Sequence, residues 1–180
     1  MKPKLLTLIA MMLLLATAAA AHKPVIVGKD TNTTITEPEV SHAYYGKLNG
    51  EAHTYTINTE KNITLYVNIL QPDPSPDSET SEARSFSVRI KQYEGDDKTA
   101  TYGMEAGNWE QYYEKHGKDH YLRGPELERD VTADRYVITV SNDENQGKYA
   151  LAVGKQEDFG LIDRITAWFK AIYLDWWFFG

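Results

Sequence analysis

The sequence predicts an all-β protein, an antiparallel, jelly-roll-like β-sandwich carrying a C-terminal amphipathic helix. Three observations predict it. Apolar and polar residues alternate with period two in several short runs, the mark of half-buried strands. Turn-forming clusters of Asn, Asp, Gly and Pro separate those runs. A period near 3.6 emerges only after Gly160.

Taken in order, His22–Val40 is polar and threonine-rich and reads as an extended lead-in with an edge strand at Val25–Val27. Tyr55 and Ile57 then alternate with Thr54, Thr56 and Asn58. Ile63, Leu65, Val67 and Ile69 line one face of the next run, with Tyr66 and Leu70 suggesting that its second face is partly covered. Gln71–Ala83 contains Pro72, Pro74 and Pro76, which remove ladder donors and fix the backbone, so a surface loop is expected there. Phe86, Val88 and Ile90 mark another strand. Residues 94–127 read as loop with an optional short helix at Trp109–Lys115, ended by Gly117, Gly124 and Pro125. Tyr136, Ile138 and Val140 lie on one closing strand and Tyr149, Leu151 and Val153 on the next. The intervening Asn142–Gly147 segment predicts a hairpin turn. Seven or eight strands with little helix suit a sandwich.

Particular stretches carry a family resemblance. Asp134-Arg-Tyr-Val-Ile-Thr-Val-Ser, the Asn142–Gly147 turn and Lys148-Tyr-Ala-Leu-Ala-Val-Gly154 resemble the last hairpin of bacterial pre-peptidase C-terminal-type domains. Ser41-His-Ala-Tyr-Tyr-Gly-Lys-Leu and His53-Thr-Tyr-Thr-Ile resemble that family's opening strands. The similarity covers roughly residues 40–155 and rests on strand patterns. It implies a jelly-roll-like sandwich in a secreted protein, often an accessory module. Residues 94–127 and the tail depart from the family's compact pattern.

Residues 1–21 read as a secretory signal: Lys2 and Lys4, an apolar run from Leu5 to Ala16, then Thr17 and four alanines. The expected organisation is a signal at 1–21, a sandwich domain at 22–159 and an aromatic helix at 160–180. Cleavage would leave 159 of the 180 residues and remove two lysines and no acid, moving the formal charge from −7 to −9. That acidity argues against nucleic acid as a partner. There is no cysteine, so disulfides, thiolate metal sites and cysteine nucleophiles are excluded. An exported protein of the periplasm or cell surface is expected. Asn32-Thr33-Thr34 and Asn62-Ile63-Thr64 match the glycosylation acceptor pattern, which short sequences meet readily by chance.

In the tail, Leu161, Ile165, Trp168, Ile172, Trp176 and Phe179 share one helical face, widened by Ile162, Phe169 and Tyr173. Three of the four tryptophans are here, Trp168, Trp176 and Trp177. A full membrane span would bury Asp163, Arg164, Lys170 and Asp175, at about 2.5–3.5 kcal/mol for a central charge. An interfacial helix suits the aromatic content, with Trp168, Phe169, Ile172, Trp176 and Trp177 as contact residues. The alternative is docking on the protein's own sandwich or on a partner chain. The sequence favours the interface over docking by a narrow margin.

Several chemical candidates stand beside plainer readings. His22 would be the mature N-terminus, whose amine and ring nitrogen can chelate copper, with His42, His53, His116 or His120 completing the site. Its plain reading is a residue tolerated after a cleavage site. The pairs His116/His120 and Glu110/Glu114 have zinc-compatible helical spacing, but Gly117 interrupts the helix. Trp109, Tyr112, Tyr113 and Tyr121 could form an aromatic platform for a glycan or an envelope protein, or a small core beneath a loop. Asp143, Glu144 and Asn145 could offer calcium their oxygens, yet a turn needs such residues anyway. No nucleophile elbow, phosphate loop or dinucleotide fingerprint is present. The expectation is a non-enzymatic binding module without a required cofactor; the alternative is a metalloprotein using His22.

Overall fold

A computed structural model describes residues 22–28, 30–77, 86–104, 109–115, 118–158, 170 and 173–179. Two sheets face each other, as the alternating patterns require. Each strand turns its apolar residues inward because period-two geometry sends neighbouring side chains to opposite faces.

The first sheet has six strands, in the order β1 (Lys23–Ile26), β3 (His42–Asn49), β11 (Gln146–Val153), β5 (Ile63–Pro72), β9 (Asp119–Val131) and β8 (Glu110–Glu114). The second has five: β2 (Asn32–Ile35), β4 (His53–Asn58), β10 (Arg135–Ser141), β6 (Ser87–Glu94) and β7 (Asp97–Met104). Leu48, Leu65, Val67, Ile69, Tyr149, Leu151 and Val153 from the first sheet meet Tyr55, Ile57, Val88, Ile90, Tyr136, Ile138 and Val140 from the second.

Four expectations need correction. The sandwich is not wholly antiparallel, because β1 runs parallel to β3 and β2 runs parallel to β4. These edge strands come from the lead-in, and a side-chain pattern carries no record of strand direction. Residues 94–127 are not mainly loop, since β7, β8 and most of β9 occupy them. β7 and β8 are edge strands exposed along much of their length, so the apolar alternation used to detect strands is missing. The helix considered at Trp109–Lys115 is therefore strand β8. Gly124 and Pro125 interrupt no helix; they form a bulge in β9, two residues opposite Ile69, where the β5–β9 register shifts between Asn68 and Leu70. The buried Asn68 amide donates to both of their carbonyls at 3.1 Å, supplying acceptors with the donor that a regular ladder would provide.

The fourth correction concerns the predicted closing hairpin. The turn is real: Asn142 and Gln146 exchange two side-chain bonds to the backbone, and Asn145 and Gly147 take positive φ of 48° and 111°. The strands it joins belong to different sheets, so it is an arch across the sandwich. The hairpins are β6–β7, closed by Gly95 and Asp96, and β8–β9.

At the C-terminus, Lys170 and Tyr173–Leu174 are helical and Asp175–Phe179 forms a single π-helical turn. The rest of the helix expected over 160–180 lies outside the described residues, including Trp168, Phe169 and Ile172. No described helix is long and apolar enough to cross a membrane.

Candidate functional site

Strand β11 explains where the tail goes. Tyr149, Leu151 and Val153 face the sandwich interior, which leaves Ala150 and Ala152 on the outer face, yet both are buried. A strand buried on both faces needs a cover on its outer side. Here Leu174 and Phe178 of the tail pack with Ala150 and Tyr121, and Ile26, Tyr45, Leu70, Tyr112, Trp177 and Phe179 border the cluster.

The bed is shaped by residue size. Tyr45 on β3 and Tyr121 on β9 have two strands between them, yet their hydroxyls meet at 3.4 Å. Small Ala150 on the floor gives the tyrosines room to lean together. Phe178 meets Tyr45 edge-on at 5.0 Å and Phe179 meets Tyr121 edge-on at 5.3 Å, geometries in which a ring edge faces a π-cloud. Two lysines fix the tail backbone and its neighbour: Lys148 Nζ donates to the Phe178 carbonyl at 3.1 Å, and Lys170 Nζ to the Pro24 carbonyl at 2.8 Å. The first satisfies a carbonyl left open at a helix end. Burial pushes the Tyr45 hydroxyl up to about 12 and the Tyr121 hydroxyl well above its ordinary value, with Asp119 and Glu114 adding to both shifts.

The opposite side of the tail is open. Trp176 is 77% exposed and Tyr173 44%, and Tyr173 stacks on Trp177 with ring centroids 6.1 Å apart. The tail thus has a docked side and an aromatic solvent side.

The aromatic residues considered as one platform occupy different places. Tyr112 and Tyr121 are register partners on the outer face, and Arg123 stacks over Tyr112 while pairing with Glu110. Tyr113 pairs with His120 on the other side of that hairpin, with their rings 4.8 Å apart. Trp109 packs against the main core, within ring contact of Phe86 and tight against Gly124. Of the bed residues, Leu70 was read from the sequence as a sign that the outer face of its strand is partly covered, while Ile26, Tyr45 and Ala150 were not singled out. The signal that could have found them was the unbroken apolar run from Tyr149 to Val153.

His22 sits at the start of β1, its Nδ1 at 2.5 Å from the Ser41 hydroxyl. Burial lowers its pKa and His42 adds to that, while the Glu114 and Glu157 carboxylates oppose it. His42 donates from Nδ1 to the Val40 carbonyl at 2.9 Å, leaving its Nε2 as the ring's available ligand atom. His53 is buried in the core, while His116 lies outside the described residues. Among the described residues no group of three or more His, Asp or Glu side chains is gathered as for a metal ion. In the arch, Asn142 and Asn145 already use side-chain oxygens on backbone N–H groups.

The chain matches no protein-family profile, and no curated protein matches it. Among solved structures it is similar to the pre-peptidase C-terminal domain of a collagenase from Bacillus anthracis, at 12% identity over 71% of this chain and 97% of that domain, with a TM-score of 0.42. It is also similar to a β-glucosidase from Paenibacillus barengoltzii, at 10% identity over 72% of this chain and 13% of that enzyme, with a TM-score of 0.26. The first of these belongs to the family that the strand patterns of residues 40–155 resemble.

Proposed function

We propose that this protein is an exported, non-catalytic β-sandwich module that attaches to the membrane–water boundary of the cell envelope through its C-terminal segment. The observation that carries the reading is the division of that segment. Leu174 and Phe178 are spent on the protein's own sheet, while Trp176 and Tyr173 project outward from a backbone held in place. Trp and Tyr, each with an apolar body and a polar tip, favour the headgroup boundary. Docking and membrane contact, which compete as readings of the sequence, become two sides of one element. The basic and apolar leader at residues 1–21 supports export.

Vesicle flotation of residues 22–180 tests this. The protein is expected to float with phosphatidylcholine–phosphatidylglycerol vesicles, and Trp176→Ser to cut the floated fraction several-fold while leaving the thermal midpoint unchanged. Absence of flotation, or flotation of the variant or of a chain ending at Asp158 equal to that of residues 22–180, would overturn the reading.

A further inference from the structure

The outer face of the five-stranded sheet lies on the opposite side of the sandwich from the tail. Inward residues are fixed by burial: Tyr55 and Ile57 on β4, Tyr136, Ile138 and Val140 on β10, Val88 and Ile90 on β6. Alternation then assigns their neighbours to the outside. Pairing registers arrange these in rows across the sheet. One row runs Asn32, Thr54, Thr139, Arg89, Gly103; the next Thr34, Thr56, Val137, Lys91, Thr101; the third Asn58, Arg135, Tyr93, Lys98.

No carboxylate stands in any of these rows, although acids outnumber Lys and Arg by 26 to 19 in the whole chain. The six-stranded sheet differs, with Glu126 and Glu128 on its outer face engaging Tyr66 and Lys155. Arg89, Lys91 and Lys98 make no ion pair among the described residues. Arg135 stacks on Tyr93 at 4.2 Å, and Asp96, in the turn at the margin, reaches it only at 4.0 Å. The face therefore presents four cations among hydroxyl and amide groups: Arg89 and Lys91 stand about 7 Å apart along β6, and Arg135 and Lys98 lie in one row on either side of Tyr93, about 10 Å apart.

We infer that this face binds an acidic polysaccharide, with cations meeting its carboxylates or phosphodiesters and threonines meeting its hydroxyls. Charge complementarity selects an anion. The rest of the grid selects among anionic partners. A protein interface needs an apolar centre, and here Val137 is the one aliphatic side chain in the rows. A single-stranded nucleic acid needs open aromatic faces, and Tyr93 is covered by Arg135. A lipid surface needs side chains that insert, and the exposed aromatics of the tail are on the other side. A flat array of hydroxyls and cations suits a hydroxylated, charged chain.

The test is calorimetric titration of residues 22–180 with polygalacturonate, alongside neutral dextran, anionic-lipid vesicles and single-stranded DNA. Polygalacturonate is expected to bind at low salt and dextran not to bind. Arg89→Gln with Lys91→Gln should weaken polygalacturonate at least tenfold, whereas Lys47→Gln with Lys61→Gln, the same charge change elsewhere, should change it less than twofold. Both pairs are surface substitutions, and matched thermal midpoints establish that they fold. No binding of polygalacturonate, equal losses in both pairs, or tighter Arg89/Lys91-dependent binding of vesicles or DNA would each overturn the inference. Because the tail is untouched in these variants, failure here leaves the flotation result standing.

Discussion

Tyr149 answers to three neighbours at once. Its ring lies where a Cβ on Gly46, its cross-strand partner, would come within 2.6 Å, so only glycine fits there. Its hydroxyl is 2.7 Å from His53 Nδ1 and 2.7 Å from the Tyr55 hydroxyl, making a polar chain inside an apolar core. Such a chain is stable only when every member is satisfied. Burial lowers the pKa of His53 and raises those of Tyr55 and Tyr149, so all three are held neutral. For a base with a depressed folded pKa, the unfolded chain takes up the proton first. The contribution of His53 is therefore complete above the ordinary value of 6.5 and is lost as pH falls from there towards its folded pKa, at up to about 1.4 kcal/mol per pH unit. Urea midpoints measured between pH 7.5 and 5 should fall more steeply for the wild type than for His53→Gln. Parallel slopes would mean that His53 takes up its proton equally in both states. The sequence shows the histidine and both tyrosines but not their meeting, because their partners lie more than ninety positions away along the chain.

At the scale of the element, the tail and its bed stabilise each other. Burial pushes the Tyr45 hydroxyl up to about 12, and Phe178 is one of the groups packed against its ring. Phe178→Ala should admit water to the bed and bring the Tyr45 titration down towards 10, seen as an earlier phenolate absorbance rise, with a loss of about 3–5 kcal/mol. An unshifted titration would show that other groups keep Tyr45 dry. Elements differed in legibility for physical reasons. Strands β4, β5, β6 and β10 bury mainly alternate residues and announce themselves by period two, whereas β11, buried at every residue from Tyr149 to Val153, announces itself by an unbroken apolar run. β7 has only Met104 buried and β8 nothing buried, so neither could. The tail's docked side was not legible: the face drawn through Trp176 and Phe179 omits the buried Leu174 and Phe178 and includes the exposed Trp176, since a helical stripe carries no label for the surface opposite.

For the whole molecule, what the sequence withheld was the order of strands within the sheets. Turn chemistry at Asn142–Gly147 marks a reversal and is indifferent to whether the strands pair with each other or part to different sheets. The arch it forms has a consequence for how the molecule closes. β11 is the last of the described strands, yet it lies between β3 and β5 in the middle of its sheet. It also supplies Tyr149, Leu151 and Val153 to the core and Ala150 to the tail's bed. At about 1.5–3 kcal/mol for each large apolar side chain, those three core residues contribute roughly 5–9 kcal/mol, comparable to the roughly 5–15 kcal/mol that holds a whole domain. A chain ending at Ser141 should therefore fail to fold, because β1 and β3 lose their link to β5, β9 and β8. A chain ending at Asp158 keeps all eleven described strands and should fold with a lower thermal midpoint. Near-ultraviolet circular dichroism and thermal melting separate the two. A cooperative melt from the chain ending at Ser141 would refute the central role of β11, and loss of folding in the chain ending at Asp158 would make the tail part of the core.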